Sequence, residues 1–168
     1  ISIEHHTLWL FRSGPLSMGR FLIAKLLFGA SAVLAMGGVL IFISNYIMKS
    51  AGQVFVLTVI AGVMMGIALP CMALGMGAMF PVFNTDNIAQ IESSLGGVFF
   101  MICALAYLTV HGLLWAIPIR NYYGQKMGIA SLTGAHLAGV GTVLIAVNLL
   151  FSIVPLYAGY RNIRSIEL

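Results

Sequence analysis

Charge is the scarcest thing in this chain. Of 168 residues, eight are Lys or Arg and four are Asp or Glu, so 7% are charged, where a soluble domain carries roughly a quarter. A water-facing globular surface cannot be built from so few. No basic run and no interleaving of aromatic with basic residues occurs, which argues against nucleic acid as a partner. The four carboxylates are Glu4, Asp86, Glu92 and Glu167, too few and too scattered for a paired acid and base. Asp86 and Glu92 are six apart, which points them to different faces of a helix. Only Cys71 and Cys103 carry thiols, and both sit in apolar stretches as small packing residues rather than as a disulfide. Neither G-x-S-x-G nor H-E-x-x-H is present, and no G-x-x-x-x-G-K-[ST] offers a phosphate cradle.

What remains is long apolar sequence. The intervals Lys25 to Lys49, Lys49 to Asp86, Glu92 to Arg120 and Lys126 to Arg161 contain no charged residue between their ends. Each exceeds the roughly 20 residues that cross a ~30 Å hydrocarbon core as a helix. In lipid an unsatisfied backbone amide costs several kcal/mol, so a span is a helix or a strand of a closed barrel. Barrel strands alternate in polarity over about ten residues; these segments are apolar on every side. The expected fold is therefore all-α and polytopic, with four transmembrane helices over 21–48, 54–80, 95–117 and 132–157. Short amphipathic interfacial helices accompany them. One transmembrane domain fills 1–168, and the start at Ile1 suggests a fragment of a longer protein.

The polar segments punctuate this pattern. Residues 2–13 alternate apolar Ile3, Leu8, Trp9 and Phe11 with polar Glu4, His5, His6 and Arg12, as an interfacial helix does. Gly14-Pro15 ends that segment, and Ser17 can cap the next helix. Pro70 falls inside the second span and predicts a hinge. Gly62, Gly66, Gly75 and Gly77 are notches that let another helix approach. Between the second and third spans, Asn84 to Asn87 are turn formers, and Asn87 to Gln90 resembles a capping box. Pro118 is expected to end the third span. Tyr157 and Tyr160 with Arg161 and Arg164 anchor the last one at an interface. His111 and His136 lie inside spans. With no carboxylate or cysteine cluster beside them they read as neutral, hydrogen-bonded histidines rather than as a metal pair or proton relay.

With four spans, the N-terminal segment, the 81–94 loop and the C-terminus share one side. That side holds Arg12, Arg20, Lys25, Arg161 and Arg164 against Lys49, Arg120 and Lys126 on the other. Basic residues are retained inside, so the first side is expected to be cytoplasmic.

Two runs also carry a family resemblance. In Glu4 to Lys25, the residues Trp9, Arg12, Ser13, Pro15, Leu16, Ser17 and Lys25 resemble a segment of bacterial type-2 ATP-binding cassette exporter permeases. In Leu74 to Gly97, the residues Gly75, Gly77, Phe80, Pro81, Phe83, Asp86 and Asn87 are similar to a later loop of the same proteins. The ending, Gly159 to Leu168, is similar to their C-termini. Those permeases usually have six or more spans, so the chain looks like the C-terminal portion of one. The resemblance implies a bacterial inner-membrane permease subunit of an ATP-driven exporter, not itself an enzyme and without its own ATP-binding motif. It further implies a second permease copy and a cytoplasmic ATPase subunit that binds the ATP. No cofactor or metal is expected in the chain itself. Trp9, Arg12, Pro15, Asp86 and Asn87 are then the candidates for ATPase docking and coupling. The alternatives are a non-transport membrane scaffold or assembly factor and, less favoured, an intramembrane enzyme using His111 and His136.

Overall fold

The computed structural model describes residues 18–50, 52–81, 94–128 and 134–165. Four helices fill them: α1 (Met18–Ile47), α2 (Gly52–Met79), α3 (Leu95–Lys126) and α4 (Gly134–Ser165). No strand occurs among the described residues. The expected all-α, four-span class is what the chain adopts, and each helix is long and apolar enough to cross a bilayer. At 1.5 Å per residue, helices of 28 to 32 residues are about 42–48 Å long. That exceeds a ~30 Å hydrocarbon core, so their ends reach headgroup depth or they tilt. The expected interfacial helix at 2–13, the Ser17 cap and the Asn87–Gln90 capping box lie outside the described residues.

The ends of the helices follow local chemistry. Lys49 adopts φ 46, its N–H donates to the Tyr46 carbonyl at 3.2 Å, and the Ser50 N–H donates to the Asn45 carbonyl at 3.1 Å. That pair of bonds is a Schellman cap with lysine in the left-handed position usually held by glycine. The Ser94 hydroxyl caps α3 by accepting from the Gly97 N–H at 3.3 Å. Two boundaries differ from expectation. Helix α3 runs through Pro118 to Lys126, and α4 runs through Pro155 to Ser165. A proline removes one donor from the ladder, and a transmembrane helix surrounded by neighbours tolerates that loss. Pro70 likewise sits inside continuous α2.

The helices run up and down. At one end Leu22 of α1, Ala78 of α2 and Ile163 of α4 form a core cluster, and Phe80 stacks on Phe99 at the start of α3 with centroids 5.9 Å apart. Helix α2 is the hub. It packs most extensively on α4, less on α1 and less again on α3, and the α3–α4 contact is smaller still. The α2–α4 pair is parallel: Gly75 meets Gly159 and Ala78 meets Asn162, the same offset along both helices. Their backbones approach so closely that a Cβ on Gly75 would overlap the Pro155 peptide, and one on Gly159 would stand 3.0 Å from the Gly75 Cα. Small residues that admit such approach are the usual basis of helix packing in lipid. Asn162 extends the seam by donating to the carbonyls of Ala78 at 3.2 Å and Met79 at 2.9 Å, two of the four carbonyls that the end of α2 leaves unpaired.

Candidate functional site

Polar side chains inside the bundle concentrate on one face of α3. Tyr107, His111 and Trp115 recur every four residues, so they stack along the helix, and all three are buried. Ring centroids lie 5.2 Å apart for Tyr107 and His111 and 6.2 Å for His111 and Trp115. The Trp115 indole N–H donates to His111 Nε2 at 2.8 Å. An accepting Nε2 places the proton of the neutral imidazole on Nδ1, and that buried Nδ1 has no partner. At the lower end, Asn148 of α4 donates to the Tyr107 hydroxyl at 3.0 Å, and Phe151 packs on the Tyr107 ring at 5.4 Å. Ala68 and Met72 of α2 close the cluster around Tyr107. The buried Ser152 hydroxyl also has no partner.

Above this ladder the bundle opens. A cleft of about 610 Å³ lies between the start of α2, the second half of α3 and the first half of α4. Trp115 and Leu144 lie at its deep end, Val56, Leu57, Leu137 and Val140 make its walls, and Gln53 and Gln125 sit toward the helix ends. The volume falls within the ~300–1,000 Å³ of ligand pockets. None of the lining residues is charged. The arrangement can hold an apolar body and hydrogen-bond its uncharged end.

The residues singled out from sequence distribute unevenly. Gly62 faces Ile41 and Gly66 faces Leu34, both on α1, and Gly75 lies against the Pro155 backbone. Gly77 faces open space, because residues two apart on a helix point about 200° apart. Pro70 lies on the α1 side of α2, with Gly29 opposite. Trp9, Arg12, Pro15, Asp86 and Asn87 lie outside the described residues. His111 belongs to the buried ladder, whereas His136 is exposed and lines a shallow hollow with Leu114, Gly139 and Val143. Among the described residues no three His, Cys, Asp or Glu side chains are grouped as a metal site would need. Sequence reasoning did not anticipate Asn148, Asn162 or Gly159. An asparagine inside an uncharged span is itself a signal, since it needs a partner there.

A family model described as "Putative ATP-binding cassette" matches residues 1–168, the whole chain. The chain belongs to this family. No curated protein and no solved structure matches it. The family match corrects three expectations. The resemblance to the C-terminal portion of a type-2 exporter permease gives way to a family described by ATP binding, not by a permease. The function of a permease subunit coupling an ATPase to substrate movement falls with it, and the scaffold and intramembrane-enzyme alternatives gain nothing from the match. The expectation of a non-enzymatic subunit lacking its own ATP-binding motif also conflicts with that description. The physical reason for the error is specific. Short polar runs at helix ends are shared by many membrane proteins, and so identify a partner surface poorly. Membership in the ATP-binding cassette family and four spans fit for a multi-pass membrane protein stand together.

Proposed function

We propose that this chain is a multi-pass, membrane-embedded component of an ATP-binding cassette system in the bacterial inner membrane. A partner subunit on the cytoplasmic side holds the ATP, and a second copy of the chain completes the assembly. The observation that carries the reading is the family match over residues 1–168 on a chain whose described part is four bilayer-length apolar helices. No substrate path is assigned to it. The end where Leu22, Ala78 and Ile163 cluster faces the cytoplasm in this reading, since Arg20, Lys25 and Arg161 lie there and basic residues are retained inside. Lys25 extends over the Phe21 ring at 5.7 Å, a posture suited to a stem in lipid and a charge at the headgroups. Trp9, Arg12, Pro15, Asp86 and Asn87 fall on the same side and form the partner's landing surface.

Affinity purification from native membranes in mild detergent tests this. An ATP-hydrolysing subunit is expected to co-purify, and Arg12→Glu with Asp86→Lys is expected to lower its recovery at least tenfold. Full recovery with that double variant would remove the landing surface. Binding of a fluorescent ATP analogue by the purified chain alone would move the nucleotide from the partner to this chain.

A further inference from the structure

The cleft between α2, α3 and α4 lies at the end of the bundle away from the Leu22–Ala78–Ile163 cluster. Its depth follows from helix register. From Gln125 near the rim to Trp115 at the floor is ten residues of α3, about 15 Å at 1.5 Å per residue, or half of a ~30 Å hydrocarbon core. It is therefore as deep as one leaflet. Gly52, Gln53 and Gln125 are exposed at its rim, and Val56, one turn further along α2, is exposed as well. Its walls are mostly aliphatic, Gln53 and Gln125 sit at the rim, and Asn121 and Tyr122 lie between rim and floor. Lys126 stands in the last turn of α3, at headgroup depth, and the long stem of Arg120 lets its charge snorkel to the same phosphate layer from about one and a half turns deeper. The floor offers no free donor, because the Trp115 N–H is committed to His111.

A polar solute would find nothing to bind at that floor, and an ion would find no opposite charge. We infer that the cleft holds one acyl chain of a phospholipid from this leaflet, with the chain end against Trp115 and the headgroup at the rim. The inference needs only that the bundle lies in a bilayer.

Trp115 is 8% exposed and, with Trp9→Phe in place, becomes the sole tryptophan of the chain. The protein is reconstituted in phosphatidylcholine vesicles whose chains carry bromine near their ends or near the headgroup. Chain-end bromine is expected to quench Trp115 emission at least twofold, and headgroup-side bromine less. Gly141 lines the cleft, and a Cβ there meets nothing within 4 Å, so Gly141→Phe fills the space from α4. It is expected to restore more than half of the lost emission. Gly139 is equally open but lines the other hollow, so Gly139→Phe leaves quenching unchanged. Native mass spectrometry should retain one phospholipid per chain, and none in Gly141→Phe. If that variant does not fold, Val56→Phe blocks the same cleft from α2, where Val56 is 54% exposed. Equal quenching with the cleft filled, or equal recovery in Gly139→Phe, overturns the assignment. So does efficient disulfide cross-linking of two copies through Val56→Cys, because a second chain would then cover the opening.

Discussion

The two ends of this bundle solve the same packing problem differently. At one end α2 and α4 touch backbone to backbone through Gly75 and Gly159, Asn162 caps the carbonyls of α2, and Phe80 stacks on Phe99. At the other, the helices are held apart by side chains around a cleft of about 610 Å³, and one side-chain bond, Asn45 to Thr58 at 2.9 Å, ties α1 to α2. Lipid tails are as apolar as leucine, so apolar burial does not drive helices together in a bilayer. Close van der Waals contact and interhelical hydrogen bonds do, and at the tight end Gly75, Gly159 and Asn162 supply both. The lesson is that small residues close a seam only where they face each other, as Gly75 and Gly159 do, while Gly52 and Gly141 line the open cleft.

That contrast can be broken most directly at Gly159. Replacing it by Val drives side-chain atoms into the Gly75 backbone, and overpacking of that kind costs about 1–3 kcal/mol or more. Gly159→Val is expected to lose about 3 kcal/mol in detergent-to-SDS unfolding followed by circular dichroism. Gly77→Ala, facing open space, is the matched control and should be neutral or gain up to ~1 kcal/mol of helix propensity. A smaller effect is expected from Asn162→Ala, which removes two bonds to the end of α2 and should cost about 1–2 kcal/mol in the same assay. Smallest is Asn45→Ala at the open end, expected to cost about 0.6 kcal/mol, the average for a hydrogen bond between transmembrane helices. Should Asn45→Ala cost as much as Gly159→Val, the two ends would be equally tight and the contrast would fail.

The spans were legible because charge is absent over lengths that only a bilayer explains, and the up-and-down order follows from their number. The helix ends were less so. Pro118 reads as a stop in any sequence, yet one lost hydrogen bond does not end a helix flanked by neighbours. The parallel α2–α4 seam was not legible at all. Gly75 and Gly77 look alike in the chain, and only the rotation of α2 decides which one meets α4. Gly159 reads as part of a polar tail until its partner, 84 residues earlier, is known. The buried ladder was half visible. His111 was noticed, but Tyr107 and Trp115 pass as ordinary aromatic residues, and Asn148 acquires meaning only opposite the Tyr107 hydroxyl. Trp9, Arg12, Pro15, Asp86 and Asn87 lie outside the described residues.

The 84-residue separation between Gly75 and Gly159 has a temporal side. A ribosome adding about 5–20 residues per second needs about 4 to 17 s to cover it. Throughout that interval nascent α2 sits in the membrane with its glycine notch facing lipid instead of its final neighbour. Anything present at the insertion site that recognises small-residue grooves could occupy the notch first, so assembly of this protein is exposed to competition until α4 emerges.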